Sequence, residues 1–130
     1  IKKNKIKTIF THDLYDLNID HSIVNRAVTI AVRPFLNDIN LYTCEILSSS
    51  ECNFSSENNF KPNTFVDIEN TLEKKINAMN KYKTEIRNWP HPRSLKGIRY
   101  QAKMRGTQAG INLAEAFKCI LKKYSGTELP

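Results

Sequence analysis

The sequence has few cysteines and no long apolar run, and both shortages limit what the protein can be. Its cysteines, Cys44, Cys52 and Cys119, are odd in number and widely spaced. That pattern argues against a disulfide scaffold and a cysteine-based zinc site, so we expect a reducing, cytoplasmic setting. The longest apolar run, Ala27 to Val32, is interrupted by Thr29 and is far too short for a membrane span, so none is expected.

The length and the N-terminus indicate one domain that belongs to a longer polypeptide. A chain of 130 residues, of which 40% are hydrophobic, fits one domain with a packed core. No signal-peptide pattern is present, because a lysine-rich start leads directly into a short predicted strand. The sequence opens at Ile1 rather than at a methionine, and we therefore expect it to be a piece of something longer.

The charge is strongly positive, with 20 basic and 13 acidic residues and a net charge of +7. Such an excess invites a nucleic-acid interpretation. The lysines, however, gather at positions 2–7, 74–83 and 118–123, with no aromatic-interleaved patch and no known nucleic-acid module. We therefore expect no nucleic-acid binding. A basic scaffold that binds an acidic polymer stays open as an alternative.

The motifs of several large enzyme classes are also missing. The sequence contains no GxSxG and no cysteine in a catalytic motif, so nucleophilic catalysis is unsupported. Neither GxGxxG nor GxxxxGK[ST] occurs, which leaves a nucleotide-phosphate cradle unsupported. HExxH is absent as well.

Alternating strand and helix patterns predict an α/β fold. Runs rich in β-branched and aromatic residues predict strands at Lys5–Phe10, Leu41–Ile46 and Thr64–Ile68. Helical spacing of apolar residues predicts a helix from Ser22 to Arg33, and a second from a capping pattern at Asn70 and Glu73 to the turn at Trp89.

A third helix is predicted from a cap at Ser94 to Ile120, and two glycines interrupt it. Its inward face would comprise Leu95, Ile98, Ala102, Gly106, Ala109, Leu113, Phe117 and Ile120. Gly106 and Gly110 each cost about 1 kcal/mol of helix stability relative to alanine, so we expect a very close packing contact there. The sequence leaves open whether that contact lies inside a subunit or between the subunits of an expected homo-oligomer.

The densest group of polar residues, His12 to His21, follows the first predicted strand. A histidine with carboxylates at the end of a strand can ligate a divalent metal, and a neighbouring aspartate can orient the ring. The alternative is that Asp20 caps the helix and His21 is a surface residue of the first turn. One histidine does not make a site, since catalytic zinc usually has three protein ligands.

Two further segments could contact a substrate. The Ser48-Ser49-Ser50-Glu51 segment could bind substrate hydroxyls and place a carboxylate, or it could be a solvated loop. His91 lies between two prolines and is most simply part of a rigid turn, with Arg93 beside it. We take Ser49, Glu51 and Arg93 as the candidate substrate-binding residues.

Taken in order, these segments resemble the LmbE-like / PIG-L family of N-acetylglucosaminyl deacetylases. The matching segments are Thr11-His12, Asp16 to His21, Arg33-Pro34, Ser48 to Glu51, Phe65 to Ile68, His91 to Ser94, Arg105-Gly106, Gly110 and Ala114 to Phe117. They extend over nearly the whole chain, from about Ile6 to Ile120. The resemblance implies a Rossmann-like α/β fold with a mostly parallel sheet and flanking helices. It also implies zinc-dependent hydrolysis of an N-acetyl group from an amino sugar.

The resemblance further implies roles for individual residues. His21 resembles the metal ligand of the family's Asp-His pair, with Asp20 as its neighbour. Asn18 stands where many members have a histidine assigned as general acid or oxyanion stabiliser, and an asparagine can donate a hydrogen bond but cannot transfer a proton. His12 is the expected substitute if the loop folds back. Asn18, His12 and Asp20 are therefore the candidate catalytic residues.

One family motif is absent. The A-H-P-D-D-E motif, which supplies two metal ligands and the general base in the family, does not occur in the sequence. We therefore expect residues 1–130 to be the C-terminal portion of one deacetylase domain, without its N-terminal strands and inactive alone. Zinc is the expected cofactor, although one histidine does not distinguish zinc from iron or cobalt. A non-catalytic relative that binds a sugar or a nucleotide sugar is the alternative.

Overall fold

A computed structural model describes residues 6–35, 38–55, 57–124 and 126. The strands in these ranges are β1 (Thr8–His12), β2 (Asn40–Cys44), β3 (Thr64–Asp67) and β4 (Ala114–Leu121). The helices are α1 (Ile19–Ala31), α2 (Leu72–Met79) and α3 (Leu95–Ala109), with a short 3-10 turn at Ser50–Cys52. The expected α/β class is confirmed, and the three predicted strands lie within a few residues of β1, β2 and β3. Lys5, the start of the first predicted strand, lies outside the described residues.

The strands form one mixed sheet in the order β1-β2-β4-β3. β1 and β2 are parallel, in register from Thr8 opposite Asn40 to His12 opposite Cys44. β4 is antiparallel to both of its neighbours, β2 and β3. A mostly parallel Rossmann-like sheet is therefore wrong for the described part of the chain. The parallel pairing still places the carboxyl ends of β1 and β2, and the loops that follow them, at one edge of the sheet.

The third helix is much shorter than predicted, because the chain turns at Gly110 and continues as β4. Gly110 ends α3 in the left-handed conformation, with φ +70°. Gly106 packs against this same turn, since a Cβ there would lie 2.6 Å from the carbonyl oxygens of both Ile111 and Asn112. The close contact expected at the two glycines is thus made at Gly106 by the turn after the helix, whereas a Cβ at Gly110 would meet nothing within 4 Å.

Residues 114–121 satisfy a helical pattern by coincidence and form a strand instead. Ala114 and Ala116 are buried while Glu115 between them is more accessible, which is the period of a strand. β4 pairs with strands on both sides, so its backbone hydrogen bonds are satisfied by the sheet. The placement of Phe117 and Ile120 on a helix was wrong.

The second helix also ends early. α2 stops at Met79, with Asn80 as its C-cap, whereas the apolar pattern predicted a helix to Trp89. Its N-cap is Thr71 rather than Asn70, and Thr71 makes no side-chain capping bond. Tyr82, which the predicted helix would include, is 65% exposed, so the apolar pattern beyond Met79 does not correspond to burial.

The caps of the other two helices are made by side chains. Asn18 caps α1 by accepting a hydrogen bond from the Asp20 amide, so the helix begins at Ile19, three residues before the predicted start. Asp20 as the cap was therefore wrong. The predicted cap of α3 is confirmed, because Ser94 accepts a hydrogen bond from the Gly97 amide at 2.9 Å.

Two apolar clusters hold the helices in place. The first lies around α2 and α3 and contains Ile68, Leu72, Ile76, Ile98 and Ala102. The second lies beneath α1 and contains Val32, Ile39 and Leu41, with Ile9, Val28 and Leu121 packed against it. In the part of the chain that the structure describes, no helix has the length and apolar character needed to cross a membrane. All three cysteines are within the described ranges, and each is a free thiol.

Candidate functional site

The loop between β1 and α1 is fixed by its own side chains. Asp13 accepts a hydrogen bond from the Tyr15 amide at 3.0 Å, and Asp16 accepts one from the Asn18 amide at 3.0 Å. The Asn18 bond to the Asp20 amide continues the same pattern. Asp and Asn favour such turns because the side chain takes the place of a backbone acceptor. The run of polar residues read from the sequence is thus a rigid connection that ends in the first turn of α1.

Asp16 and His21 form the centre of the site. The Nδ1 atom of His21 lies 2.8 Å from Oδ1 of Asp16, whose side chain is completely buried. Asp16 also accepts hydrogen bonds from the hydroxyls of Ser49 and, at 3.2 Å, Ser50. Burial, the largest influence, would raise the pKa of Asp16, but the hydrogen bonds from Ser49, the Asn18 amide and His21 hold it below its ordinary value.

This arrangement settles which nitrogen of His21 is free. An ionised carboxylate can only accept, so Nδ1 of His21 donates to Asp16 and carries the ring proton. In the neutral ring the lone pair then remains on Nε2, which has no hydrogen-bond partner among the described residues. A carboxylate that orients a histidine and leaves its second nitrogen open is the usual outer-shell arrangement of metal-ligating histidines.

His12 lies directly against this ring. The rings of His12 and His21 are stacked with their centres 4.0 Å apart and their planes 8° from parallel. Burial and, to a smaller extent, the neighbouring His21 ring lower the pKa of His12, while Asp16 opposes the shift. Nδ1 of His12 is buried without a hydrogen-bond partner in the described structure. The lone pairs of two stacked rings lie in nearly parallel planes, so they do not converge on one ion.

A further contact holds the strand and the helix together at this point. Asn25 is buried in the middle of α1, and its amide donates to the carbonyl oxygen of His12 at 2.7 Å. On the other side, the buried carboxylate of Asp13 accepts from the Thr43 hydroxyl at 3.0 Å. These bonds tie α1 and β2 to the end of β1 and fix the stacked histidines between them.

The loop after β2, from Ser48 to Glu51, contacts Asp16 and so forms part of the site. Ser48 has φ +73°, a strained value for a residue other than glycine, and its amide donates to Oε1 of Glu51 at 2.6 Å. Ser49 is buried and donates to Asp16, so its hydroxyl is occupied inside the protein. Since this hydroxyl contacts the carboxylate rather than His21, the three residues do not form a nucleophilic triad.

Glu51 faces an open pocket with a volume of about 300 Å³. The pocket is lined by Leu47, Glu51, Trp89, Pro90, Pro92, Gly97, Tyr100, Gln101 and Met104. Trp89 and Tyr100 meet edge to face with their ring centres 5.2 Å apart, and the Lys96 ammonium lies 5.0 Å from the Trp89 ring centre. The pocket therefore joins an aromatic wall to a carboxylate on the loop that holds Asp16.

The polar contacts of Arg93 are made with other residues of the chain. Its guanidinium forms an ion pair with Glu85, and its backbone amide donates to Nδ1 of His91 at 3.1 Å. Its Nε atom is buried without a hydrogen-bond partner in the described structure. The rigid turn around His91 thus positions Arg93, and Arg93 is not one of the residues that hydrogen-bond to Asp16.

The structure brings some of the candidate residues together and separates others. His12, Asn18 and His21 share the β1–α1 connection, and Ser49 reaches it through Asp16. Asp20 follows the cap and is exposed, so the carboxylate that orients His21 is Asp16 and not its sequence neighbour.

Asp16, although it begins one of the matching segments, and Asn25 were not among the candidate site residues. Asp16 carries a usable signal, because an aspartate five residues before a histidine, across a helix N-terminus, can fold back onto the ring. Asn25 carries a weaker signal, since the burial of a polar residue within a helix can be inferred only once its hydrogen-bond partner is known.

Among the residues of this site, His21 is the one whose ring is oriented as a metal ligand. No group of three His, Cys, Asp or Glu side chains that could hold a metal ion occurs among residues 6–35, 38–55, 57–124 and 126. His21 fits one ligand position, because its Nδ1 is held and its Nε2 is open. A complete zinc site would need further ligands from elsewhere.

Comparisons with known proteins identify the fold but no family. No protein-family signature matches the sequence, and no curated protein is significantly similar to it. The chain is similar to the crystal structure of the conserved protein TT1542 from Thermus thermophilus, with a TM-score of 0.65 and 16% sequence identity. The match covers 99% of this chain and 59% of TT1542. The chain thus spans about three fifths of that protein, and at this identity the likeness concerns the fold alone.

Proposed function

We propose that the protein is a metal-dependent hydrolase that removes the N-acetyl group from an N-acetylglucosamine-type sugar or glycoconjugate, with zinc as the metal. The observation that carries the proposal is the buried Asp16 carboxylate on Nδ1 of His21. It fixes the proton on the inner nitrogen and leaves Nε2 as a ligand. The family resemblance of the surrounding segments supplies the reaction class.

The residues present fit part of such a metal site. His21 would hold the ion through Nε2, with Asp16 as its orienting partner. The nearly parallel His12 ring would not bind the same ion. The proposal therefore requires that residues other than those described supply the remaining ligands and the general base. When bound, zinc lowers the pKa of coordinated water toward about 7 and polarises a carbonyl oxygen.

Other residues of the chain have properties that suit this chemistry. The side-chain nitrogen of Asn18 has no hydrogen-bond partner among the described residues and could donate to an oxyanion. The lowered pKa of His12 favours a neutral ring at pH 7, which weakens its case as a proton donor. Glu51 and the aromatic wall of Trp89 and Tyr100 offer a binding surface for the sugar.

An acidic-polymer scaffold has less support. Basic side chains that pair with carboxylates include Lys7 with Asp38, Lys75 with Glu115, Arg93 with Glu85, Arg99 with Glu73 and Arg105 with Glu45. The carboxylates of these pairs interrupt the positively charged surface. Binding of an acidic polymer is favoured by a continuous stripe of positive charge.

The proposal is tested by acetate release from N-acetylglucosaminyl compounds, using the protein at its natural length. We expect deacetylation that a chelator abolishes and that added zinc restores, with the free amine detected by mass spectrometry. Deacetylation that is insensitive to chelation would contradict the proposal. Saturable sugar binding without turnover by the zinc-loaded protein would favour the binding relative instead.

The substrate side is tested at Glu51. A Glu51→Gln substitution keeps the shape and removes the charge, and we expect a KM raised about tenfold, with the number of bound zinc ions unchanged. Glu57→Gln, which changes an exposed carboxylate outside the pocket, is the matched control and should leave KM unchanged. An unaltered KM in Glu51→Gln would remove the pocket from the substrate site.

A further inference from the structure

Helix α1 presents apolar side chains to solvent on the face opposite the sheet. Ile19, Ile23 and Ile30 are 74%, 57% and 61% exposed. Residues four, seven and eleven positions apart lie on one face of a helix, so these isoleucines form a continuous stripe. We call Ile19, Ile23 and Ile30 the outer stripe.

The outer stripe is not needed for packing inside the described fold. Asn25, Val28 and Val32 lie on the opposite side of α1, where Val32 is buried and Val28 packs against the cluster beneath the helix. The contact with the sheet is therefore already made. Single exposed apolar residues are ordinary, but an aligned set on one helix marks an interaction surface.

The charges beside the outer stripe indicate what covers it. Asp20 and Arg26 are both exposed, and neither has an ion-pair partner among the described residues. They lie three residues before and three residues after Ile23. If two copies of α1 pair in antiparallel fashion about a twofold axis at Ile23, Asp20 of each copy lies level with Arg26 of the other, and the long arginine side chain can reach across to it. A twofold contact requires such self-complementarity.

A groove beside the outer stripe offers a place for a side chain of the second copy. An open groove of about 300 Å³ is lined by Leu14, Asn25, Arg26, Thr29 and Ile30. In the same antiparallel pairing, position 17 of one copy lies level with position 29 of the other. Leu17 is 55% exposed and would enter the groove of the second copy.

We propose that α1 is a homodimer interface, in which the outer stripe packs on its twofold-related copy and Asp20 pairs with Arg26 across the axis. The close-packing glycines cannot take this role, because Gly106 packs on the turn of its own chain and Gly110 forms that turn. The proposal is independent of any catalytic activity.

The first test is the mass of the natural-length protein in solution, measured by light scattering and sedimentation. We expect a dimer, and a monomer for Ile23→Glu, with Ile120→Glu as the control that changes an exposed isoleucine on β4. A wild-type protein that is monomeric at micromolar concentrations overturns the proposal. A folded Ile23→Glu variant that remains dimeric also overturns it.

A charge-exchange test separates this pairing from other dimers. Asp20→Arg and Arg26→Asp should each weaken the dimer at least about tenfold, since each places like charges in contact. The double exchange should restore the dimer. Ile23→Cys, a mild substitution, should form a disulfide-linked dimer under oxidation that the wild-type protein does not form. Failure of both the rescue and the cross-link would exclude the antiparallel geometry.

Discussion

Arg105 and Glu45 lie 60 residues apart in the sequence and form a two-point ion pair between α3 and the end of β2. Nε of Arg105 is 3.1 Å from Oε1 of Glu45, and Nη2 is 2.5 Å from Oε2. The side chains are only 11% and 13% exposed. Gln101 donates to the same carboxylate and also lines the pocket beside Glu51. The pair thus anchors the helix that forms one wall of the proposed substrate pocket.

Removal of Glu45 should destabilise the protein strongly. Glu45→Ala would leave the Arg105 charge buried without its partner, and we expect a loss of about 3 kcal/mol in the free energy of unfolding. Glu73→Ala breaks the exposed pair with Arg99 and should change stability little. Urea denaturation of both variants checks the prediction, and equal losses would contradict it.

Asp16→Asn should loosen His21 without removing it. The amide keeps the size of the carboxylate but loses the ionised acceptor for Nδ1, so metal affinity should fall about 10–100-fold. Zinc titration of the natural-length variant measures this loss. An unchanged affinity in a folded variant would show that Asp16 does not orient a ligand.

The same carboxylate should contribute to acid sensitivity. The pKa of Asp16 is held below its ordinary value of about 3.9 in the folded protein. Its stabilising contribution is therefore complete above that value and is lost as the pH falls through the lower folded-state pKa. Unfolding free energies measured from about pH 5 to pH 2 should fall more steeply for the wild type than for Asp16→Asn. Parallel pH profiles would contradict this assignment.

Gly106 and Gly110 should respond differently to alanine. Gly106→Ala places a Cβ 2.6 Å from two backbone oxygens and should cost about 1–3 kcal/mol of stability. At Gly110 a Cβ has open space but the φ of +70° is unfavourable, so Gly110→Ala should cost about 1 kcal/mol. Gly110→Asn should cost less than Gly110→Ala, because asparagine tolerates this conformation. Thermal unfolding of the three variants measures the order.

The Cys44 thiol should be slow to react. Burial, aided by the nearby Glu115 carboxylate, raises the pKa of Cys44, and its Sγ donates to the Thr11 carbonyl at 3.2 Å. In a Cys52→Ser, Cys119→Ser background, the rate of alkylation should therefore rise with a midpoint above the ordinary thiol pKa of about 8.5. A midpoint at or below that value would contradict the prediction.

The first three strands and the α3 cap could be predicted from the sequence because local chemistry determines them. β-Branched runs gave β1, β2 and β3 to within a few residues, and Ser94 caps α3 as predicted. The error in β4 has a physical cause, since residues 113, 117 and 120 fit a helical period while the alternation of Ala114 and Ala116 fits a strand. The turn at Gly110 decides between the two.

The candidate site was visible in part for a similar reason. The residues from His12 to His21 are close in sequence, so their grouping could be inferred before the structure was known. The bonds from Ser49 and Ser50 to Asp16 join positions 33 and 34 residues apart, and no local pattern encodes them. The orientation of His21 by Asp16 rather than Asp20 likewise depends on the fold of the loop.

The central claim is that Nε2 of His21 binds the metal, and one comparison tests it most directly. Zinc content and deacetylase activity should be measured together on natural-length wild type, His21→Ala and His91→Ala, with the folding of each checked by circular dichroism. We predict that His21→Ala loses metal-dependent deacetylation and binds zinc far more weakly, whereas His91→Ala, which changes a histidine outside the proposed metal site, retains its zinc. Full zinc occupancy with retained activity in His21→Ala would contradict the account.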